Sequence, residues 1–107
     1  MKRVEILYFD SCPTWRRAEE EVRRMLSESN IEASLRLVPI VTNEDAQRLR
    51  FLGSPTVRVD GVDVDPSSRF ATSFGLQCRL YEGATGMRRV PDTNLIRAAL
   101  GIPGSAP

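Results

Sequence analysis

Apolar residues follow two different periods in the first part of the chain. Residues 4–9 form an apolar run broken only by Glu5, which predicts a strand buried on both faces. After a polar corner, apolar residues recur every three or four positions, which predicts one buried face on a helix of about four turns. That face consists of Trp15, Ala18, Val22, Met25 and Leu26. Residues 31–40 alternate as a second strand, so these elements predict a βαβ unit with parallel strands.

A hairpin and a short strand are predicted further along the chain. The pair Asp60-Gly61 is typical of a type I′ turn between two alternating strands. This turn pairs facing valines and places all of them on one face of the hairpin. The valines are Val57, Val59, Val62 and Val64. Residues 76–81 alternate weakly and predict a strand that contains Cys78, which is either a buried apolar residue or available for chemistry.

Two more helices are predicted, one on each side of the hairpin. Thr42 or Asn43 caps the first helix, which ends at Gly53. Residues 91–93 open the last helix, which ends at Gly101. The predicted buried residues are Ala46, Leu49 and Leu52 in the first helix and Leu95, Ile96, Ala99 and Leu100 in the last.

Length and composition restrict the class of protein. With 107 residues, 41% of them hydrophobic, the chain is the size of one domain with a single core. We place this domain at residues 1–101 and expect residues 102–107 to be a flexible tail. The net charge is +1 and both signs are interleaved, so nucleic acid is not an expected partner. No apolar run approaches the roughly 18 residues that span a bilayer, and no cleavable leader is recognisable, so we expect a cytoplasmic protein without a membrane partner.

The chain contains no histidine and two cysteines, which limits its chemistry. Without histidine, Cys–His nucleophile pairs, Ser–His–Asp triads and imidazole metal sites are excluded. Cys12 and Cys78 are too few for a closed tetrahedral zinc site, so we predict neither a resident metal nor a cofactor. Thiol chemistry, a two-coordinate soft-metal site or no chemistry remains.

Cys12 stands where the first strand meets the first helix. Asp10 or Ser11 offers a side-chain oxygen as the N-cap, and Pro13 suits the first turn, so the helix is predicted to begin at the cysteine. The free N–H groups and partial positive charge of a helix start favour a thiolate. The Asp10 carboxylate repels a thiolate, so the sequence does not give the pKa. As a reactive thiol, Cys12 is expected to be exposed at this corner, and the alternative is that it is a small buried apolar residue.

Two separated motifs resemble the thioredoxin-like superfamily. The first is Y-F-D-S-C-P-T-W at residues 8–15, where that superfamily carries its redox motif, and the second is G-S-P-T-V at residues 53–57. With G-L-Q-C-R-L-Y at residues 75–81, they are similar to a small bacterial group, the DF-family thioredoxin-like (seleno)proteins. The resemblance implies a thioredoxin-like α/β fold, in which a βαβ unit, a β-hairpin and a C-terminal helix surround one central sheet.

The resemblance also implies a binding site beside Cys12. Pro55 would be a cis-proline packed next to Cys12, and the backbone of Ser54, with Thr56 beside it, would pair with an extended thiol-containing substrate. Trp15 stands where a Cys-x-x-Cys motif has its second cysteine, and it would shield the thiol or stack on a substrate.

Because residue 15 is not a cysteine, a mixed disulfide at Cys12 needs another thiol to resolve it. Either Cys78 or a small thiol such as glutathione would take this role. The resemblance thus leads to a monothiol redox protein, a thiol-disulfide oxidoreductase that exchanges with or reduces small-thiol, protein-disulfide or peroxide-type substrates.

Two other functions stay open from the sequence. The first is a soft-metal or organomercurial-handling protein that uses Cys12 and Cys78 as sulfur ligands, with Asp10 as proton donor. The second is a non-catalytic interaction module of the same fold, including a homodimer through the edge of the valine hairpin.

Overall fold

The computed structural model describes residues 1–83 and 86–102. The helices and strands in these ranges are β1 (Lys2–Tyr8), α1 (Trp15–Ser29), β2 (Ala33–Pro39), α2 (Asn43–Arg48), β3 (Thr56–Val59), β4 (Val62–Asp63), β5 (Tyr81–Gly83), β6 (Gly86–Arg88) and α3 (Thr93–Leu100), with a short 3₁₀ turn at Pro66–Ser68. Apart from Ile102, the predicted C-terminal tail lies outside the described residues.

Strands β1 to β4 form one central sheet with the strand order β2-β1-β3-β4. Strands β1 and β2 are parallel, in a register that runs from Lys2 beside Ala33 to Tyr8 beside Pro39. Strand β3 is antiparallel to β1 and to β4. The predicted βαβ unit and hairpin are therefore present and share one sheet, and the molecule belongs to the mixed α/β class.

Strand β1 is covered on both faces, as its apolar run predicts. On one face Ile6 packs in a core with residues of α1 and α3, among them Val22 and Ile96. On the other face Leu7 packs in a second cluster with Ile40, Ala46 and Phe51. Consecutive residues enter different clusters because successive side chains of a strand point to opposite faces.

Helix α1 begins at Trp15 and not at Cys12. Its N-cap residue is Thr14, so neither Asp10 nor Ser11 caps it, and Pro13 precedes the helix. The predicted start was wrong because a separate turn lies between strand and helix, closed by a 3.0 Å hydrogen bond from the Cys12 N–H to the Phe9 carbonyl. The predicted buried face is confirmed, with Leu26 partly buried at its edge.

The hairpin has the predicted turn and register. Asp60 and Gly61 have φ values of 51° and 82°, the positive values that a type I′ turn requires. Val59 pairs with Val62, and the remaining two valines are joined by a backbone hydrogen bond. Val62 is nevertheless 65% exposed, because it adjoins the turn on the edge strand β4.

Residues 76–81 do not form the predicted strand. Cys78 makes one isolated parallel bridge with Ser54, and regular pairing begins only at Tyr81, where β5 joins β6 in a separate two-stranded sheet. The bridge stays isolated because its partner stands between Gly53 and Pro55, residue types that weaken or interrupt strands.

Candidate functional site

The turn that carries Cys12 and the segment before β3 lie at the same end of the sheet. Strands β1 and β3 are antiparallel neighbours, and Leu7 near the end of β1 pairs with Thr56 at the start of β3. The residues that follow β1 and those that precede β3 therefore meet. This geometry brings the turn around Cys12 beside Ser54 and Pro55.

The Ser54–Pro55 peptide bond is cis, as the resemblance implied, although most X–Pro bonds are trans. Pro55 is fully buried, and its carbonyl accepts a hydrogen bond from the Tyr81 hydroxyl. The Thr56 hydroxyl is also buried and donates to the Gly53 carbonyl at 2.6 Å. The Thr56 side chain is thus engaged within the fold, and the expected contact with a substrate would need another group of this segment.

Cys12 is only 5% exposed, although it is a free thiol in a surface turn between exposed Ser11 and Pro13. Burial by itself raises the pKa of the Cys12 thiol. The Ser54 hydroxyl opposes this effect, and so do the hydroxyl and backbone N–H of Thr14 and the backbone N–H of Trp15, so the pKa of Cys12 lies below its ordinary value. The sulfur therefore sits at the N-terminal end of α1, and the expectation that it is exposed was wrong.

The Ser54 hydroxyl is a buried donor that faces this sulfur. Ser54 is 1% exposed, and its Oγ forms no hydrogen bond with any described residue. Such an unpaired hydroxyl costs about 1–3 kcal/mol, so it is uncommon in a folded protein. A thiolate at Cys12 would satisfy the hydroxyl, because a negatively charged sulfur accepts a hydrogen bond more strongly than a thiol does.

Thr14 links the sulfur to a second segment of the chain. Its Oγ1 lies 3.6 Å from the Cys12 Sγ and donates to the Arg89 carbonyl at 3.4 Å. With the thiol, the S–H group donates to Oγ1. With the thiolate, the single hydroxyl proton can turn to the sulfur instead, since a hydroxyl both donates and accepts.

Trp15 is buried and already in contact with two side chains. Its ring stacks on Tyr8 with the centroids 4.0 Å apart, and the Arg16 guanidinium lies 4.6 Å from the ring centroid. The tryptophan therefore fills the space beside β1 at the position of the missing second cysteine. Both ring contacts lie within the fold, and a role of Trp15 in shielding the thiol or in stacking on a substrate stays a prediction.

Cys78 is exposed, so the interpretation of Cys78 as a buried apolar residue was wrong. Its backbone lies beside Ser54, because the Ser54 N–H donates to the Gln77 carbonyl at 2.8 Å and the Arg79 N–H donates to the Ser54 carbonyl at 3.0 Å. Bridged strands run about 5 Å apart, so the Cys78 backbone lies next to Ser54, the residue whose hydroxyl faces Cys12. The same bonds occupy both backbone groups of Ser54, which the resemblance had assigned to a substrate.

A buried ion pair that the sequence analysis did not identify supports this loop. Arg79 is 7% exposed and forms two hydrogen bonds with the Asp63 carboxylate, of 2.6 and 3.0 Å. Its guanidinium also lies 4.4 Å from the centroid of the Tyr81 ring, and burial raises the pKa of Tyr81. The alternation of Arg79 and Tyr81 in one predicted strand was the available signal, because it puts both on one face.

The other predicted groups lie at the rim of the site. Asp10, Ser11 and Pro13 are exposed. Asp10 and Ser11 border a shallow depression that is lined mainly by apolar residues, among them Val41 and Leu76. In the described ranges no group of three or more His, Cys, Asp or Glu side chains is placed to hold a metal ion, and a two-sulfur site at the cysteines stays a prediction.

Comparisons with known proteins leave the site to be interpreted from its own geometry. A scan against protein-family models, a search of curated proteins and a search of solved structures each found no match. Among the described residues, no helix has both the length and the apolar character needed to cross a membrane.

Proposed function

We propose that this protein is a thiol–disulfide exchange protein with a thioredoxin-like fold, and that Cys12 is its attacking thiolate. One observation carries the proposal. The Cys12 sulfur lies at the N-terminal end of α1 and faces the Ser54 hydroxyl, which has no other partner among the described residues. A thiolate accepts a hydrogen bond from this buried hydroxyl more strongly than a thiol does, which favours the reactive form of Cys12.

The proposed fold family is supported by the backbone. The strand order β2-β1-β3-β4, the parallel β1–β2 pair and the antiparallel hairpin agree with the arrangement that the resemblance implies. The cis peptide before β3 and the cysteine after β1 also stand where the two motifs require them. Shared fold alone does not give function, so the mechanism is argued from the site.

In the proposed reaction the Cys12 thiolate attacks one sulfur of a disulfide R–S–S–R′. A bond forms between the Cys12 sulfur and R–S, the R–S–S–R′ bond breaks, and R′–S⁻ leaves and takes a proton from water. The thiolate of Cys78, or of a small thiol such as glutathione, then attacks the Cys12 sulfur and releases R–S⁻. The substrate gains two electrons, and the two attacking thiols are oxidised to one disulfide.

Cys78 fits the second step because its backbone already lies beside Ser54, whose hydroxyl faces Cys12. A second thiol that is held near the mixed disulfide acts at a high effective concentration, whereas glutathione must arrive from solution. The proposal therefore assigns Cys78 as the resolving thiol and glutathione as the agent that reduces the Cys12–Cys78 disulfide afterwards.

Mass spectrometry in defined glutathione redox buffers tests the proposal. We expect a Cys12–Cys78 disulfide in the natural protein and a glutathione adduct on Cys12 in the Cys78→Ser variant. The Cys12→Ser variant is the matched control, because it keeps the exposed cysteine. Glutathione attached only to Cys78 in every buffer, with Cys12 unmodified, would contradict the proposal.

A further inference from the structure

We propose that residues 76–80 form a strap that closes the Cys12 site, and that the Arg79–Asp63 ion pair is the latch that holds it shut. Cys12 then reacts with molecules from solution only while the strap is lifted. The purpose of this device rests on the proposed function, but its test does not, because it measures access to the sulfur.

The strap lies directly on Ser54, the residue whose hydroxyl faces Cys12. Gln77 and Arg79 take both backbone hydrogen bonds of Ser54. The approach is so close at Gly53 that a Cβ there would lie 3.0 Å from the Arg79 Cβ and 3.0 Å from the Gln77 carbonyl oxygen. Ser54 is consequently 1% exposed, although it stands at the end of the sheet beside a surface turn.

One buried side chain fastens the strap to the rest of the molecule. All five residues of the strap are described, and only Arg79 among them is buried. The first and last residues of the strap, Leu76 and Leu80, are 44% and 55% exposed. Arg79 makes its two bonds to Asp63 on the hairpin and a third, of 3.2 Å, to the Thr56 hydroxyl. The Gln77 side chain adds exposed hydrogen bonds to backbone carbonyls, which solvent can replace.

A segment with few buried contacts opens locally at a lower free energy than the core does. The strap has this character, whereas the β1 residues beneath the site are buried on both faces. Arg89 lies outside the strap, and its carbonyl accepts a hydrogen bond from the Thr14 hydroxyl next to Cys12. Lifting the strap frees the Ser54 backbone while leaving this contact and α1 in place.

The test is the rate at which a maleimide alkylates Cys12 in the Cys78→Ser background, where Cys12 is the only thiol. We expect Asp63→Asn, which removes the latch charge but keeps its shape, to raise this rate about ten- to hundredfold. The matched control is Asp45→Asn, which removes the carboxylate of an exposed pair with Arg48 and should leave the rate unchanged. An unchanged rate in folded Asp63→Asn protein would overturn the proposal.

Amide hydrogen exchange keeps the proposal falsifiable if the Asp63→Asn variant does not fold. In the natural protein the Ser54 and Arg79 amides should exchange together and well before the Ile6 amide of β1. Equal protection at all three amides would overturn the strap.

If the latch variant alkylates faster but exchanges no disulfide, the proposed function fails and the strap stands. If glutathione reacts with Cys12 equally fast with and without the latch, the strap fails and the function stands.

Discussion

Replacing Ser54 with alanine should raise the pKa of Cys12. The change removes one hydroxyl that faces the sulfur and leaves the Ser54 backbone bonds to the strap intact. Because that hydroxyl has no other partner among the described residues, the substitution breaks no further hydrogen bond. The effect on the thiolate can therefore be separated from an effect on folding.

The magnitude follows from the strength of a hydrogen bond to a charged group. Such a bond contributes about 1.5–3 kcal/mol. One pKa unit corresponds to about 1.36 kcal/mol, so losing the bond to the thiolate should raise the pKa of Cys12 by about one to two units. The free energy of unfolding at low pH should stay the same or rise, because an unpaired buried oxygen is removed.

The assay is the ultraviolet absorbance of the thiolate as a function of pH, measured in the Cys78→Ser background. Ser11→Ala is the matched control, because this exposed serine adjoins Cys12 in sequence and its loss should leave the midpoint unchanged. Thr14→Val should give a smaller rise than Ser54→Ala, since its hydroxyl is shared with the Arg89 carbonyl. A titration midpoint that does not move in Ser54→Ala would refute the assigned role of the hydroxyl.

Three further predictions concern stability, each measured by urea unfolding. Trp15→Cys would create a Cys-x-x-Cys motif but should destabilise the protein by about 3–5 kcal/mol, since it empties the space stacked on Tyr8, and Trp15→Phe should cost less. Folding lowers the pKa of Cys12, so the unfolded chain binds more protons between that pKa and the ordinary value of about 8.5. The stability of the natural protein relative to Cys12→Ser should therefore rise with pH through this window and be lost as the pH falls through the lowered pKa. Gly61→Ala should cost about 1–2 kcal/mol, because φ is 82° there and open space surrounds the position.

Each of these three predictions has a result that would contradict it. A Trp15→Cys protein as stable as the natural one would mean that the ring does not fill the space beside β1. A stability difference between the natural protein and the Cys12→Ser variant that is independent of pH would mean that folding does not favour the thiolate. A neutral Gly61→Ala substitution would be incompatible with the type I′ turn.

The predictable parts of the fold are those in which the pattern is local. The period of the apolar residues identified β1 and the buried face of α1, because each face repeats within a few residues. The Asp60-Gly61 pair identified the hairpin and its register for a similar reason, since two adjacent residues with positive φ determine the turn. The start of α1 was placed wrongly because several polar residues in succession could each cap a helix.

The candidate site was predictable only in part. The position of Cys12 at a strand-to-helix corner could be seen in the sequence, and the resemblance implied the cis bond at Pro55. Cys12 is buried although the sequence favoured an exposed thiol, and Cys78, for which the sequence left both possibilities open, is exposed. Exposure depends on which distant segment lies over a turn, and no pattern around a single cysteine encodes this.

The amino-acid sequence by itself determined the kinds of chemistry available to this protein. Its composition excludes Cys–His pairs, Ser–His–Asp triads and imidazole metal sites, and its local patterns place the Cys12 sulfur between a buried strand and a helix. Only the tertiary structure decided what surrounds the sulfur and its neighbour: the Ser54 hydroxyl comes from the segment before β3, the segment of Cys78 lies beside the Ser54 backbone, and the Arg79–Asp63 pair holds that segment. These contacts join residues far apart in the chain, and they form because antiparallel pairing of β1 with β3 brings the end of one strand beside the start of the other.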